Sequence, residues 1–350
     1  MPARPRRPRA RSRARREPDR RRGHRDAARV VAERKLRTPR GERMSTRRVA
    51  GIDCGTNSIR LLIADIGDDG RLRDVVRRME VVRLGEGVDR TGRLADAALE
   101  RTRTALADYT AQIRREGAEA VRMVATSASR DAANADDFTA MVETVLGQAP
   151  EVITGDEEAR LSFTGAVATL PAHAGQRMLI DIGGGSTEFV RGTGSEVLAA
   201  ISMDVGCVRM TERHLRSDPP RPDEIDAAVA DVTALVDRGL AVADADRDAT
   251  ELVAVAGTAT TIAGIALGLP AYDADAIDGS RLSYEQVAKV TADLAAADHA
   301  ARLAIPVMHP GRADVIVGGA LVLRTVMERS GIDSVLISEH DILDGIALSA

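Results

Sequence analysis

Residues 180–190, IDIGGGSTEFV, decide the fold, because residues 52–62, IDCGTNSIRLL, repeat their pattern. The two stretches lie 128 positions apart and share an Ile-Asp, a Gly two residues after the Asp and a Ser five after it. Each reads as a strand ending on a carboxylate, a tight turn and a returning strand. From Val49 the chain gives three strands (VAGIDCG, IRLLIADI, DVVRRMEVVRL) and a helix whose Leu94, Leu99, Leu106 and Ile113 recur at helical spacing up to Gly117. The strand AVRMVATSA, the Asn-capped helix NADDFTAMVETVLG, the short strand EVIT and the helix DEEARLSFTGAVATL follow. After the linker HAGQR the pattern restarts with MLIDIGGG, TEFVRG and SEVLAAISMDV, and helices then alternate with ELVAVAGT and DSVLISE to a closing helix. Such a restart marks an internal duplication. The expectation is an α/β chain with domains at residues 44–170 and 171–350, whose two equivalent loops face each other across a cleft.

A length of 350 residues also exceeds what one core usually holds. Hydrophobic residues make up 44% but aromatics only 2%, so the core must be aliphatic. The formal net charge of -4 hides an asymmetry. Residues 1–43 carry 17 Arg and one Lys against five acidic residues, a net +13, which leaves 31 basic and 48 acidic residues, a net -17, for the remainder. Residues 1–43 read either as a disordered basic arm for nucleic acid or another polyanion, or as sequence upstream of a true start at Met44. They contain no apolar run of signal-peptide length. Two cysteines, Cys54 and Cys207, without a Cys/His cluster, point away from a disulfide framework or zinc and suit the cytoplasm. The uncharged run at residues 252–269 is only weakly apolar and reads as a strand, a turn at Gly257-Thr258 and a helix, with no membrane partner expected.

Both turns suit phosphate. Gly permits backbone conformations that turn successive N–H groups toward one point, and Ser and Thr hydroxyls add donors. The candidate phosphate loops are Gly55, Thr56, Asn57 and Ser58, and Gly183, Gly184, Gly185, Ser186 and Thr187. The carboxylates at their edges, Asp53 and Asp181, would repel phosphate unless a divalent cation lay between, so the pattern implies Mg²⁺ or a similar hard ion. A P-loop is excluded, since neither Lys35 nor Lys289 follows a Gly, and a Rossmann fingerprint is absent. Arginine must then help. Thr126, Ser127 and Arg130 stand at the end of a predicted strand, and a guanidinium fork suits a terminal phosphate. Asp156, Glu157 and Glu158 open a helix, where acids complement the macrodipole or where one could act as general base. Glu188, on the strand leaving the second loop, is either an exposed strand residue or a holder of metal or water. EHD at residues 339–341 reads as a helix cap and Cys207 as a small buried residue, and no GxSxG supports a serine hydrolase.

These segments resemble the exopolyphosphatase / guanosine pentaphosphate phosphohydrolase (Ppx/GppA) family. VAGIDCGTNSIRLLIADI, MVATSASRDAAN, VITGDEEARLSFTGAV, LIDIGGGSTEFV, DVGCVRMTE, VAVAGTATT, HPGRADVIVGGALVL and ISEHDILDGIA occur in that family's order, most like its short actinobacterial exopolyphosphatase-like members. The resemblance implies two ribonuclease-H-like domains of the actin-like ATPase superfamily, with the active site in the cleft between them. It implies Mg²⁺-dependent removal of the terminal phosphate of inorganic polyphosphate, or of the 5′ γ-phosphate of guanosine pentaphosphate. It places the catalytic glutamate on Glu158, with Glu157 as the alternative, gives Asp181 and Glu188 metal and water handling, and puts Arg130 at the substrate entrance.

Long members continue beyond the SEHDILDGIA region into helical domains, whereas this sequence ends five residues after Gly345, which implies short polyphosphate as substrate. The expected enzyme is a phosphoanhydride hydrolase with the metal on Asp181 and either Asp53 or Glu188, and with Glu158 as base. A homodimer is expected, and no specific nucleic-acid partner. Guanosine pentaphosphate hydrolysis, a non-hydrolytic polyphosphate or nucleotide sensor, and a kinase of the same superfamily stand as alternatives. Because Arg60 occupies in the first copy the place of Glu188 in the second, the first loop is expected to grip and the second also to carry the metal.

Overall fold

The chain enters its first sheet as a meander of β1 (Arg47–Cys54), β2 (Ser58–Ile66) and β3 (Leu72–Val81). A computed structural model describes residues 46–350, so both readings of residues 1–43 lie outside the described residues. Strands β4 (Ala120–Ala125) and β5 (Glu151–Val152) join parallel to β1, giving the order β3-β2-β1-β4-β5. The central strand is covered on both faces: Val49, Ala50, Ile52 and Cys54 are at most 1% exposed. This is why β1 reads as a continuous apolar run instead of an alternating one. Helix Asp96–Glu116 covers one face through Leu106, Tyr109 and Ile113 and stops at Gly117, which takes the left-handed conformation with φ 69°.

The second sheet repeats the plan. It consists of β6 (Gln176–Ile182), β7 (Thr187–Thr193), β8 (Glu196–Met203), β9 (Ala249–Val255), β10 (Arg281–Ser283) and β11 (Ser334–Ile337). Their order is β8-β7-β6-β9-β11-β10, with β10 a short edge strand that the sequence pattern does not announce. The equivalence extends to single residues. Asp53 lies opposite Arg60 as Asp181 lies opposite Glu188, and the N–H groups of Gly55 and Gly183 donate to the Ser58 and Ser186 carbonyls, each at 3.0 Å. The expected fold class, two α/β sheets built on one plan, is what the chain adopts.

Two local expectations are corrected. No turn occurs at Gly257-Thr258: β9 runs straight into helix Ala256–Ala266, and Ala256 alone absorbs the change of direction, at φ 68°. The strand read through ATSA ends at Ala125, and Ser127–Asp131 forms a short helix.

The two halves exchange helices. Helix Gly155–Val167 follows β5 of the first sheet but packs on the second, with Ala159, Phe163 and Ala166 against Leu179 and Val190. The closing helix, Ile342–Leu348, follows β11 of the second sheet but packs on β1 and β2, with Leu343 and Ala347 against Val49, Leu62 and Ala64. The two helices cross at backbone contact, since a Cβ on Gly165 would overlap the Asp341 carbonyl and one on Gly345 the Leu161 carbonyl. Residues 45–350 accordingly form one unit. Among the described residues no helix is long and apolar enough to cross a membrane.

Candidate active site

The loops after β1 and β6 line one cavity, joined by Thr126 and Ser127 after β4 and by Ala256, Gly257 and Thr258 after β9. Since β1 runs parallel to β4 and β6 to β9, the carboxyl ends of all four strands gather there. The loops touch. A Cβ on Gly184 would lie 2.9 Å from Thr56 Cβ, and one on Gly185 would lie 2.6 Å from Ser127 Oγ and 2.8 Å from Thr56 Oγ1. Close approach is therefore what requires these glycines. None of Gly55, Gly183, Gly184 and Gly185 is in the left-handed region, which corrects the expectation that glycine's conformational range builds the anion site. Among the described residues the N–H groups of Thr56, Asn57, Gly184 and Gly185 have no backbone acceptor, so they remain available to an anion.

Four carboxylates are buried around these loops: Asp53, Glu158, Asp181 and Glu188. Asp53 Oδ2 accepts from Arg60 Nε at 2.9 Å and Nη2 at 2.7 Å, while its Oδ1 is buried with no partner. Asp181 Oδ2 accepts from Ser162 Oγ at 2.5 Å. Glu188 accepts from Ser202 Oγ at 2.7 Å and from Ser186. Glu158 Oε2 accepts from Arg130 Nη1 at 2.7 Å, and Thr126 donates to the same carboxylate.

Burial pushes the Glu158 carboxyl up to about 7 despite Arg130, and pushes Asp181 up to about 7 with help from the charge of Asp341. Glu188 is driven well above the usual range, first by burial and then by Glu158 and Asp181, and burial also raises Asp53 against the pull of Arg60. So many desolvated acids fit a cation, and the donors are hard oxygens, one of them the unpartnered Asp53 Oδ1. Among the described residues no three His, Cys, Asp or Glu side chains form a complete metal cage. A cation here would take one or two carboxylates and complete its shell with water and phosphate oxygens, which is how Mg²⁺ binds.

Of the predicted residues, Asp53, Gly55, Thr56, Asn57, Ser58, Glu158, Asp181, Gly183, Gly184 and Ser186 line this cavity. Arg130, Gly185, Thr187 and Glu188 do not. The Arg130 guanidinium is committed to Glu158 and to the Ile153 carbonyl at 3.0 Å, so it orients the carboxylate and does not meet the cavity. Thr187 is fully buried and donates its hydroxyl to the Val205 carbonyl. Gly185 packs against Ser127, and Glu188 stands beside Asp181 on the neighbouring strand. Glu157 turns away and accepts from Arg122 Nη2 at 2.8 Å, while Asp156 pairs with Arg160 on the surface.

Sequence reasoning passed over Arg312. It is half-buried in the cavity wall, donates to Thr261 Oγ1 at 3.1 Å and has no carboxylate within ion-pair reach among the described residues. Partial desolvation lowers its pKa, and a guanidinium on a cavity wall without an acid partner is suited to an anionic ligand. Gly257 leaves room beside it, because a Cβ there would overlap the guanidinium in its present position and displace it. Asp341 caps the closing helix by accepting from Leu343 N–H at 3.0 Å, as its position predicts, but it also pairs with Arg60. Arg60 thereby bridges Asp53 of the first sheet and the start of the last helix. The segment HPGRAD held the only clue to Arg312, and 47 of the 49 basic residues are arginine.

Buried acids beside two facing amide-rich loops and an arginine without an acid partner, on duplicated α/β sheets, make a site suited to a phosphate-bearing ligand and a hard cation. The chain belongs to the Ppx/GppA phosphatase family, whose profile matches residues 62–350. It is 51% identical over 318 residues to exopolyphosphatase 2 of Mycobacterium tuberculosis, an alignment covering 87% of this chain and 99% of that protein. Among solved structures it is similar to an exopolyphosphatase-like protein, with TM-score 0.84 and 44% identity over 87% of this chain and 97% of the other. It is also similar to an exopolyphosphatase from Cytophaga hutchinsonii, with TM-score 0.79 and 26% identity over 85% and 96% of the two chains.

Proposed function

We propose that the chain is an exopolyphosphatase that releases terminal orthophosphate from inorganic polyphosphate, short chains above all. The observation that carries this reading is one cavity holding Glu158, the free loop amides and the unpaired Arg312 together. The amides of Thr56, Asn57 and Gly184, with Arg312, bind the terminal phosphates. Mg²⁺, held by Asp181 with Asp53 or Glu188, would offset charge on the phosphoryl oxygens when bound. Glu158, poised near neutrality and fixed by Arg130 and Thr126, takes a proton from a water aligned with the terminal phosphorus. The new bond is P–O to that water. The bond that breaks is to the bridging oxygen, which leaves with its electron pair as the end of the shortened chain. Positioning and electrostatics supply most of the rate in such transfers.

A second substrate, guanosine pentaphosphate, is supported by one further feature. Past Arg60 and Arg312 the cavity adjoins a chamber lined by Arg78, Tyr272, Met308 and His309 together with the acids Glu339 and Asp341, and its apolar and basic members suit a nucleoside carrying phosphates. Phosphate release from polyphosphates of defined length, guanosine pentaphosphate and ATP, each with Mg²⁺, tests both readings. Polyphosphate should be cleaved fastest, and Glu158→Gln should slow it by about 10² or more. Release from guanosine pentaphosphate alone would transfer the assignment to that substrate, and tight binding without release would replace the enzyme by a sensor.

A further inference from the structure

Helix Cys207–His214 begins beneath the second loop. Cys207 N–H donates to the Gly183 carbonyl at 3.0 Å, and the N–H groups of Val208 and Arg209 donate to the Gly184 carbonyl at 2.9 and 3.1 Å. The Arg209 side chain then reaches three partners at once. Its Nε donates to the Gly185 carbonyl at 2.7 Å, Nη1 to Asp89 Oδ1 at 2.6 Å and Nη2 to Asp131 Oδ2 at 2.5 Å. One partner belongs to the second loop and two to the first half of the chain. Asp131 ends the short helix that Ser127 begins, and Ser127 Oγ shares a 2.8 Å hydrogen bond with Thr56 Oγ1 while standing against Gly185. A planar fork spreads its donors over three nitrogens and so reaches three separated acceptors, whereas an ammonium group offers its donors from a single nitrogen. Neighbouring contacts brace it: Arg213 Nη2 donates to Asp89 Oδ1 at 2.9 Å and Gly87 N–H to Glu212 Oε1 at 3.0 Å. Arg209 itself does not line the catalytic cavity.

We infer that Arg209 is a positioning residue that sets the separation of the two phosphate loops. By tying the Gly185 carbonyl to Asp131, it makes the amide of Gly184 converge with the hydroxyls of Thr56 and Ser127 on one phosphate group. Its kinetic consequences rest on the hydrolase reading above, whereas its structural ones do not.

The test compares wild type with Arg209→Ala, Arg209→Lys and Asp131→Asn. In the free protein, amide hydrogen exchange across residues 183–187 and 127–131 should rise at least about tenfold in Arg209→Ala while β1 and β6 stay protected. With short polyphosphate and Mg²⁺, Arg209→Ala should lower kcat/KM by about 10 to 100-fold and Arg209→Lys should recover part of the loss. Ser127→Ala should then cost much less in the Arg209→Ala background than in wild type, because the hydroxyl is already misplaced. Exchange and kcat/KM within about twofold of wild type would overturn the inference, and so would Arg209→Ala and Ser127→Ala losses that simply multiply. Should Arg209→Ala fail to fold, Asp131→Asn, which removes one leg only, carries the same exchange and coupling measurements. A wild type that releases no phosphate defeats the hydrolase reading and leaves the exchange result to decide the role of Arg209.

Discussion

Gly165→Ala sets two effects against each other. Within a helix Ala is preferred to Gly by about 1 kcal/mol, which on its own would stabilise helix Gly155–Val167. At this position, however, the added Cβ would overlap the Asp341 carbonyl oxygen and come 2.7 Å from Gly345 N. Both obstacles are backbone, so neither can swing aside as a side chain would, and the crossed helices must separate. Overpacking costs about 1–3 kcal/mol, and contact between two backbones places this site at the upper end. The steric effect therefore wins, with a net loss of about 2 kcal/mol and a fall in Tm of roughly 3 °C in a folded unit of this size. Activity should fall further than stability, because one helix carries Glu158 in its first turn and Asp341, paired to Arg60, caps the other. A displacement of about 1 Å at such a site costs about 10² in rate. Gly264→Ala provides the contrast, since its Cβ would meet only Val307 side-chain carbons at 3.3 Å, and its stability should change by less than about 1 kcal/mol. Urea unfolding and kcat/KM at a temperature where both variants are folded supply the readouts. A Gly165→Ala protein as stable as wild type refutes the backbone contact, and one that is destabilised yet fully active refutes its link to the site.

Other outcomes follow from single groups. Glu158→Gln keeps the shape of the side chain but cannot take a proton, so kcat should drop by about 10² to 10⁴ with circular dichroism unchanged. The Asp344 carboxylate, 2.9 Å from His340 Nδ1, holds that imidazole above its ordinary range despite burial. A raised histidine pKa gives stability present below the unfolded value and lost as pH rises through the folded one. Wild type should then lose more stability than His340→Ala as pH rises above the ordinary histidine range, and parallel urea-derived profiles would remove this role. Ala256→Gly should stabilise by about 1 kcal/mol in the same assay, since it relieves the positive φ of 68°. Chelation with EDTA should abolish phosphate release and added Mg²⁺ restore it; release that persists in chelator contradicts the metal assignment.

The duplication was legible because strand periodicity and the Asp-Gly-Ser spacing are local properties, and both copies keep them. Asp53 and Asp181 were legible for the same reason, as members of short motifs, whereas spacing left Asp156, Glu157 and Glu158 alike and only the family resemblance singled out Glu158. The exchange of helices was not, because an amphipathic pattern shows that a helix has an apolar face without saying which sheet that face covers. Nor was the reason for Gly184, which lies in its contact with Thr56, a residue of the other half. The role of Arg130 depended on Glu158, 28 positions away, and Arg312 is distinguished by lacking an acid, a property no local pattern records.

The exchanged helices also bear on how the chain can come apart. A cut near residue 170 would leave Ala159 and Phe163 on one fragment and their partners Leu179 and Val190 on the other. It would equally strip Leu343 and Ala347 from Val49 and Leu62. Each fragment would expose an uncovered sheet face and carry an orphaned apolar helix. Melting of the two halves is thereby coupled into one concerted event, so although the strand order still displays two modules, neither can be lifted out and used alone.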